Sequence, residues 1–182
     1  MVDTIAIIDD DLIEHMSMSN AGKTFLLLEQ GSKTEASAIS THCGGGAINA
    51  AVGLARLGFA VTPIAKLGTD QRAAIVRQAL INDGISTVGL VATSAAPTGA
   101  SAIVSAHDRN AAIFTFRGAN TTLVEADIAP ALFETDLIYV STLSGASADV
   151  LPHVVRLAAE RSVTIAVNPG LRQISTRFKA LC

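Results

Sequence analysis

The sequence contains no tryptophan, one tyrosine and two cysteines, and only 16% of its residues are charged. Each shortage removes a class of protein. Cys43 and Cys182 are far apart and lack metal-ligand spacing, so they build neither a disulfide scaffold nor a thiolate metal site. The plain reading is a bacterial-type cytoplasmic enzyme with free thiols. His15, His42, His107 and His153 are scattered singly, which supports neither a metal site nor a Ser/His/Asp triad. Lys and Arg number 13 against 16 Asp and Glu, and no basic patch stands out, so nucleic acid is not an expected partner. No stretch approaches the ~20 apolar residues of a membrane span. The opening MVDTIAIIDDD has no positively charged lead, and its apolar run is too short for a secretion signal.

What is abundant is aliphatic. Hydrophobic residues make up 49% of 182 positions, nearly all of them Ala, Ile, Leu and Val. That is a folding, globular composition, in a chain long enough for one domain burying roughly 70% of its unfolded surface.

The run Ile5–Ile8 ends in three aspartates, as a buried strand does at a polar edge. Thr24–Glu29 and Glu35–Thr41, split by Gly31-Ser32-Lys33, read as a hairpin. Gly44-Gly45-Gly46 then leads into a helix with Ile48, Ala51, Val52 and Ala55 on one face, ended by Gly58. A strand is expected over Val61–Leu67. Asp70 is a natural N-cap for a helix carrying Ala73, Val76, Ala79 and Leu80. A strand around Val88–Ala92 precedes Pro97-Thr98-Gly99 and a second hairpin, Ala100–Ala106 with Ala111–Phe116. The last third predicts helix Glu125–Phe133, strand Leu137–Val140, helix Ala148–Glu160 and strand Val163–Val167. The alternation implies an α/β fold: a mostly parallel sheet with helices on both faces. The two hairpins fit better as a small separate sheet, projecting like a lid.

The sharpest local signal is Cys43-Gly44-Gly45-Gly46-Ala47-Ile48-Asn49. Glycines before a helix let backbone approach a ligand closely, and the first-turn N–H groups face it. Asn49 can donate to and accept from hydroxyl groups. Alone, the glycines also fit a plain tight turn. They fit a dinucleotide-binding loop only partly, because Asn49 stands where G-x-G-x-x-G needs its third glycine.

Taken with Ala55-Arg56-Leu57-Gly58 and Gly68-Thr69-Asp70, the loop resembles the N-terminal signature of the ribokinase-like (PfkB) carbohydrate kinases: G-G-x-x-x-N-x-A, A-x-L-G, G-x-D. Pro97-Thr98-Gly99 and Arg117-Gly118-Ala119-Asn120 are similar to the start and end of that family's second lid segment. Asn168-Pro169-Gly170-Leu171-Arg172 is similar to its D-P-N-x-R segment. The resemblance implies a partial ribokinase-like domain over residues 1–182, with lid segments at about 12–42 and 96–120. It implies a kinase transferring the ATP γ-phosphate, with Mg2+, to a hydroxyl of a sugar, nucleoside or sugar acid.

The acceptor residues it implies are Glu14, Gly44, Gly45, Gly46, Asn49, Arg117, Asn168 and Arg172. Ile5–Glu14 resembles V-x-V-I-G-x-x-x-x-D, which places Glu14 at the sugar-binding Asp and Asp9 at the usual Gly. A solvated strand end is the alternative for Glu14 and for Asp9, Asp10 and Asp11. Gly46 stands where ribokinases carry Lys, which points away from ribose. Arg172 fits a phosphate or carboxylate on the acceptor, or a surface position after a turn. Arg109 and Arg117 fit a reach over the sugar or plain lid exposure, and Cys43 a small buried thiol.

No catalytic residue is expected. The N-x-x-E and G-A-G-D motifs of the family's nucleotide half do not occur, so the chain should hold the acceptor half and be inactive alone. Two other classes remain: a dinucleotide-binding oxidoreductase domain, and a ligand-binding module that forms a homodimer through the hairpins. For the latter, Phe25, Leu27, Ile103 and Phe114 should be exposed.

Overall fold

The computed structural model describes residues 1–18, 23–105 and 111–177. Along the chain run β1 (Val2–Ile7), β2 (Glu14–Met18), β3 (Lys23–Leu27), β4 (Ala38–Cys43), α1 (Gly46–Arg56), β5 (Ala65–Leu67) and α2 (Gln71–Asn82). They are followed by β6 (Leu90–Ala92), β7 (Ala100–Ser105), β8 (Ala111–Phe116), β9 (Leu137–Val140), α3 (Leu151–Glu160), β10 (Thr164–Val167) and α4 (Leu171–Arg177). The chain divides into two compact units. The first comprises Met1–Val2, Cys43–Gly99 and everything from Arg117 on; the second comprises Asp3–His42 and Ala100–Phe116.

The first unit is the α/β part. β5 pairs parallel with β6, and β10 pairs parallel with β9 in the register Thr164↔Leu137 to Val167↔Val140. Its apolar residues separate into two clusters. Around β5 and β6, Ile48 and Ala51 of α1 meet Ala73, Val76 and Leu80 of α2, together with Val2, Leu67, Ile85 and Leu90. Around β9, Leu151, Val154, Leu157 and Ala158 of α3 meet Leu123, Ile128, Phe133, Val140 and Val150. The helix faces read from periodicity are therefore the buried ones.

Three elements of this unit differ from expectation, each because of a proline. The expected helix Glu125–Phe133 is two 3-10 turns, Glu125–Asp127 and Pro130–Phe133. Pro130 holds Ala129 extended, at φ −70° and ψ 124°. The expected helix Ala148–Glu160 becomes a 3-10 turn over Gly145–Val150 followed by α3, because Pro152 fits only a first helical turn. The strand expected from Val61 pairs only over Ala65–Leu67, past Pro63, which has no N–H to give a ladder.

The second unit mixes strand directions: β2–β3 and β7–β8 pair antiparallel, whereas β1 and β7 run the same way, with the Val2 N–H on the Gly99 carbonyl and the Ile8 N–H on the Ser105 carbonyl. β7 and β8 pair from Ala100↔Phe116 to Ser105↔Ala111, as expected, and extend a sheet of order β4-β1-β7-β8. Residues 106–110, which include Arg109 and the turn expected over His107–Asn110, lie outside the described residues. The first hairpin has a different partner from the one expected. β3 pairs with β2, from Glu14↔Leu27 to Met18↔Lys23, while β4 joins the β1 sheet. Ser37 pins that junction, its N–H donating to the Ile7 carbonyl at 2.8 Å. Phe25, Leu27 and Phe114 are exposed, whereas Ile103, opposite Ile113 in the ladder, is half-buried.

Candidate functional site

The glycine loop joins β4 to α1 and is clamped from behind by the chain start. The Met1 amine donates to the Gly44 carbonyl and the Gly44 N–H donates to the Met1 carbonyl, each at 3.1 Å. Gly45 sits at φ +97°, where a side chain would be strained. A Cβ on Gly46 would lie 2.9 Å from Cβ of Ser141, just past β9. The fold itself therefore requires glycine at these two positions, as a plain tight turn would. A tight turn does not account for the helix start beyond them. The Asn49 N–H closes the first turn on the Gly45 carbonyl at 2.9 Å. No acceptor among the described residues reaches the N–H groups of Gly46, Ala47 and Ile48, and Asn49 is exposed beside them. Such a helix start offers donors to a ligand oxygen.

Asn168 leaves β10 toward the same segment that Gly46 meets. Its N–H donates to the Val140 carbonyl at 2.8 Å, and its carbonyl accepts from the Thr142 hydroxyl at 3.2 Å. Its side-chain amide donates to the Tyr139 hydroxyl at 3.3 Å. Behind it, buried Gln173 of α4 accepts at one Oε1 from the N–H groups of Leu143 and Gly170, both at 3.1 Å. Gln173 fixes the approach of the two loops, and a lone glutamine near the end of the chain gave no signal of that in the sequence. Arg172 lies on α4, with its side chain outside the described set. Arg117 is exposed ahead of the 3-10 turn Gly118–Thr121. Glu14 is exposed at the start of β2, in the second unit. Cys43 is half-buried, its thiol 3.7 Å from the Ile75 carbonyl.

Asp70 does more than cap α2. One carboxylate oxygen accepts from the Ala73 N–H at 3.1 Å, the other from the Thr98 N–H at 2.9 Å. Desolvation pushes this carboxyl up. The Thr98 hydroxyl, the two N–H donors and the Arg72 charge outweigh it and bring it below the usual 3.8. Its stabilising effect is therefore present above the ordinary aspartate value and lost as pH falls through its own lower one.

The sequence matches the pfkB family carbohydrate kinase model over residues 5–180. The chain belongs to that family. Ribokinase from Giardia lamblia is similar in structure, with TM-score 0.75, 17% identity and coverage of 99% of this chain and 55% of that one. Arabidopsis thaliana ribokinase, solved with ribose and ATP, gives TM-score 0.72 and 17% identity over 91% of this chain and 49% of that one. The nucleoside kinase of Methanocaldococcus jannaschii gives TM-score 0.68 and 18% identity over 99% and 53%. No curated protein matches the sequence. The chain spans about half the length of the solved structures it matches.

The ribokinase-like α/β fold expected from the PfkB motifs is thus the fold observed. The dinucleotide alternative loses its structural context: the glycine loop follows β4, an outer strand of the four-stranded sheet, not a strand of the β5–β6 or β9–β10 parallel ladders. Among the described residues no helix is long and apolar enough to cross a membrane.

Proposed function

We propose that this PfkB chain binds the acceptor of a cytoplasmic kinase acting on a sugar or related polyol, a nucleoside or a sugar acid. The observation that carries the reading is the start of α1, where N–H groups of Gly46, Ala47 and Ile48 that meet no acceptor among the described residues lie beside exposed Asn49. Acceptor hydroxyls would take bonds from those N–H groups and exchange them with the Asn49 amide. Gly44 and Gly45 keep side chains out of the approach. Glu14 would hold further hydroxyls, and Asn168 would border the site. Arg117 and Arg172 would meet a phosphate or carboxylate on the acceptor.

ATP and Mg2+ belong to the full-length reaction. The residues present do not fit them: N-x-x-E and G-A-G-D are missing, and no cluster of three metal-ligating side chains occurs among the described residues. Phosphoryl transfer depends on positioning and on charge neutralisation at the phosphate. Acceptor binding alone therefore gives no turnover, and sugar-dependent ADP release by this chain would contradict that part of the reading. A thermal-shift panel of sugars, sugar phosphates, sugar acids, nucleosides and NAD+ tests the rest. An acceptor at ~100 times its dissociation constant should stabilise by about 2.7 kcal/mol. A response to NAD+ alone would overturn the assignment.

The second unit, which holds most of both proposed lid segments, is a place for two copies to meet. Exposed Phe25, Leu27 and Phe114 favour a homodimer through it. Sedimentation should give a dimer, and a clean monomer at high concentration would count against this.

A further inference from the structure

The chain passes between the two units at four places: after Val2, before Cys43, after Gly99 and before Arg117. Inside the first unit these places are bonded to one another. The Val2 N–H donates to the Gly99 carbonyl at 3.0 Å, and Met1 and Gly44 exchange two bonds. The Ala119 N–H donates to the Pro97 carbonyl at 2.8 Å. The Arg117 carbonyl and Asn120 amide pack so closely on Gly99 that a Cβ there would lie 2.7 and 2.6 Å from them. All four crossings thus leave the first unit from one hydrogen-bonded plate.

One side chain ties that plate to the interior. Thr98 is fully buried, a burial a hydroxyl tolerates only when bonded. Its Oγ1 accepts from the Gly68 N–H at 2.9 Å, and both its hydroxyl and its own N–H, the latter at 2.9 Å, donate to the Asp70 carboxylate. Asp70 in turn caps α2 through Ala73. The connection therefore runs from the α2 terminus through Thr98 to Gly99, Val2, Met1 and Gly44, and through Pro97 to the turn that follows Arg117.

We propose that Thr98 is a positioning residue: its hydroxyl fixes the exit plate, and through it the glycine loop and the turn that follows Arg117, to the N-terminus of α2. The proposal stands apart from the kinase reading, because its test needs no ligand. The test is amide hydrogen exchange of the whole chain at neutral pH, comparing wild type with Thr98→Val and Thr98→Ser. Thr98→Val is expected to speed exchange about tenfold or more at Val2, Gly44, Gly68 and Ala119. The amides of Val163, bonded to Ala158 of α3, and Asn168, bonded to Val140 of β9, should change little. Thr98→Ser keeps the hydroxyl and should restore wild-type exchange. Equal acceleration everywhere, no acceleration at the four amides, or a serine variant that behaves like valine would each overturn the proposal. If Thr98→Val does not fold, wild-type exchange in dilute urea decides. Opening of the four amides with one common urea dependence supports the proposal, and four separate dependences overturn it.

Discussion

Asp127→Ala is expected to destabilise the chain by about 3 kcal/mol, the lower end of the range for removing one partner of a buried ion pair, because this pair is mostly rather than fully buried. The Lys66 ammonium lies 2.6 Å from Asp127 Oδ2, with the two side chains only 12% and 13% exposed. Lys66 also donates to the Thr122 carbonyl at 3.1 Å, and the same Asp127 oxygen accepts from the Val124 N–H at 2.8 Å. Truncation leaves a mostly buried ammonium facing a single carbonyl and removes the acceptor of the Val124 N–H. The pair itself need not add net stability, since desolvating both charges offsets much of their attraction. Replacing both residues, Lys66→Met with Asp127→Leu, should therefore recover most of the loss. Urea unfolding of the single and double variants checks this. A single variant within about 1 kcal/mol of wild type would mean that water reaches Lys66 freely.

Gly68→Ala is expected to cost about 3 kcal/mol or more, or to prevent folding, as the severe end of overpacking. A Cβ at this position would lie 2.6 Å from the Thr98 nitrogen and 2.9 Å from both the Ala96 carbonyl oxygen and the Pro97 carbonyl carbon. All three are backbone atoms, so no rotamer change makes room. Relief would require moving Thr98 away from Asp70 and loosening the cap of α2. Gly53→Ala is the matched control. It lies within α1 with nothing inside 4 Å of the added methyl, so it should be neutral or stabilise by about 0.5–1 kcal/mol. Urea midpoints measured side by side decide; equal effects of the two substitutions would refute the packing argument.

The contrast between these glycines bears on what the sequence could tell. Periodicity located α1 and α2 and their buried faces because one apolar stripe has one way to be covered. It located β7 and β8 because their alternation flanks a short polar turn. It missed the partner of β3, since alternation identifies a strand but not its neighbour, and both flanking segments alternate. It missed the break before Pro130, where a helical apolar pattern continued across a residue that cannot sit inside a helix. The glycine loop was legible through its motif, yet the motif did not reveal that Gly46 packs against Ser141. Thr98 and Gln173 were not legible as connectors, because a buried hydroxyl or amide leaves no pattern along the chain. Their importance comes from partners about 30 residues away in sequence.

The acceptor-binding claim is tested most directly by following the backbone amides of the isotope-labelled chain by NMR during titration with sugars, sugar acids and nucleosides, with NAD+ as the control. The account predicts that at least one acceptor shifts the amides of Gly45, Gly46, Ala47, Ile48 and Asn49 together, while NAD+ leaves them unchanged. Loop amides that stay fixed across the whole panel, or that move only with NAD+, would contradict it.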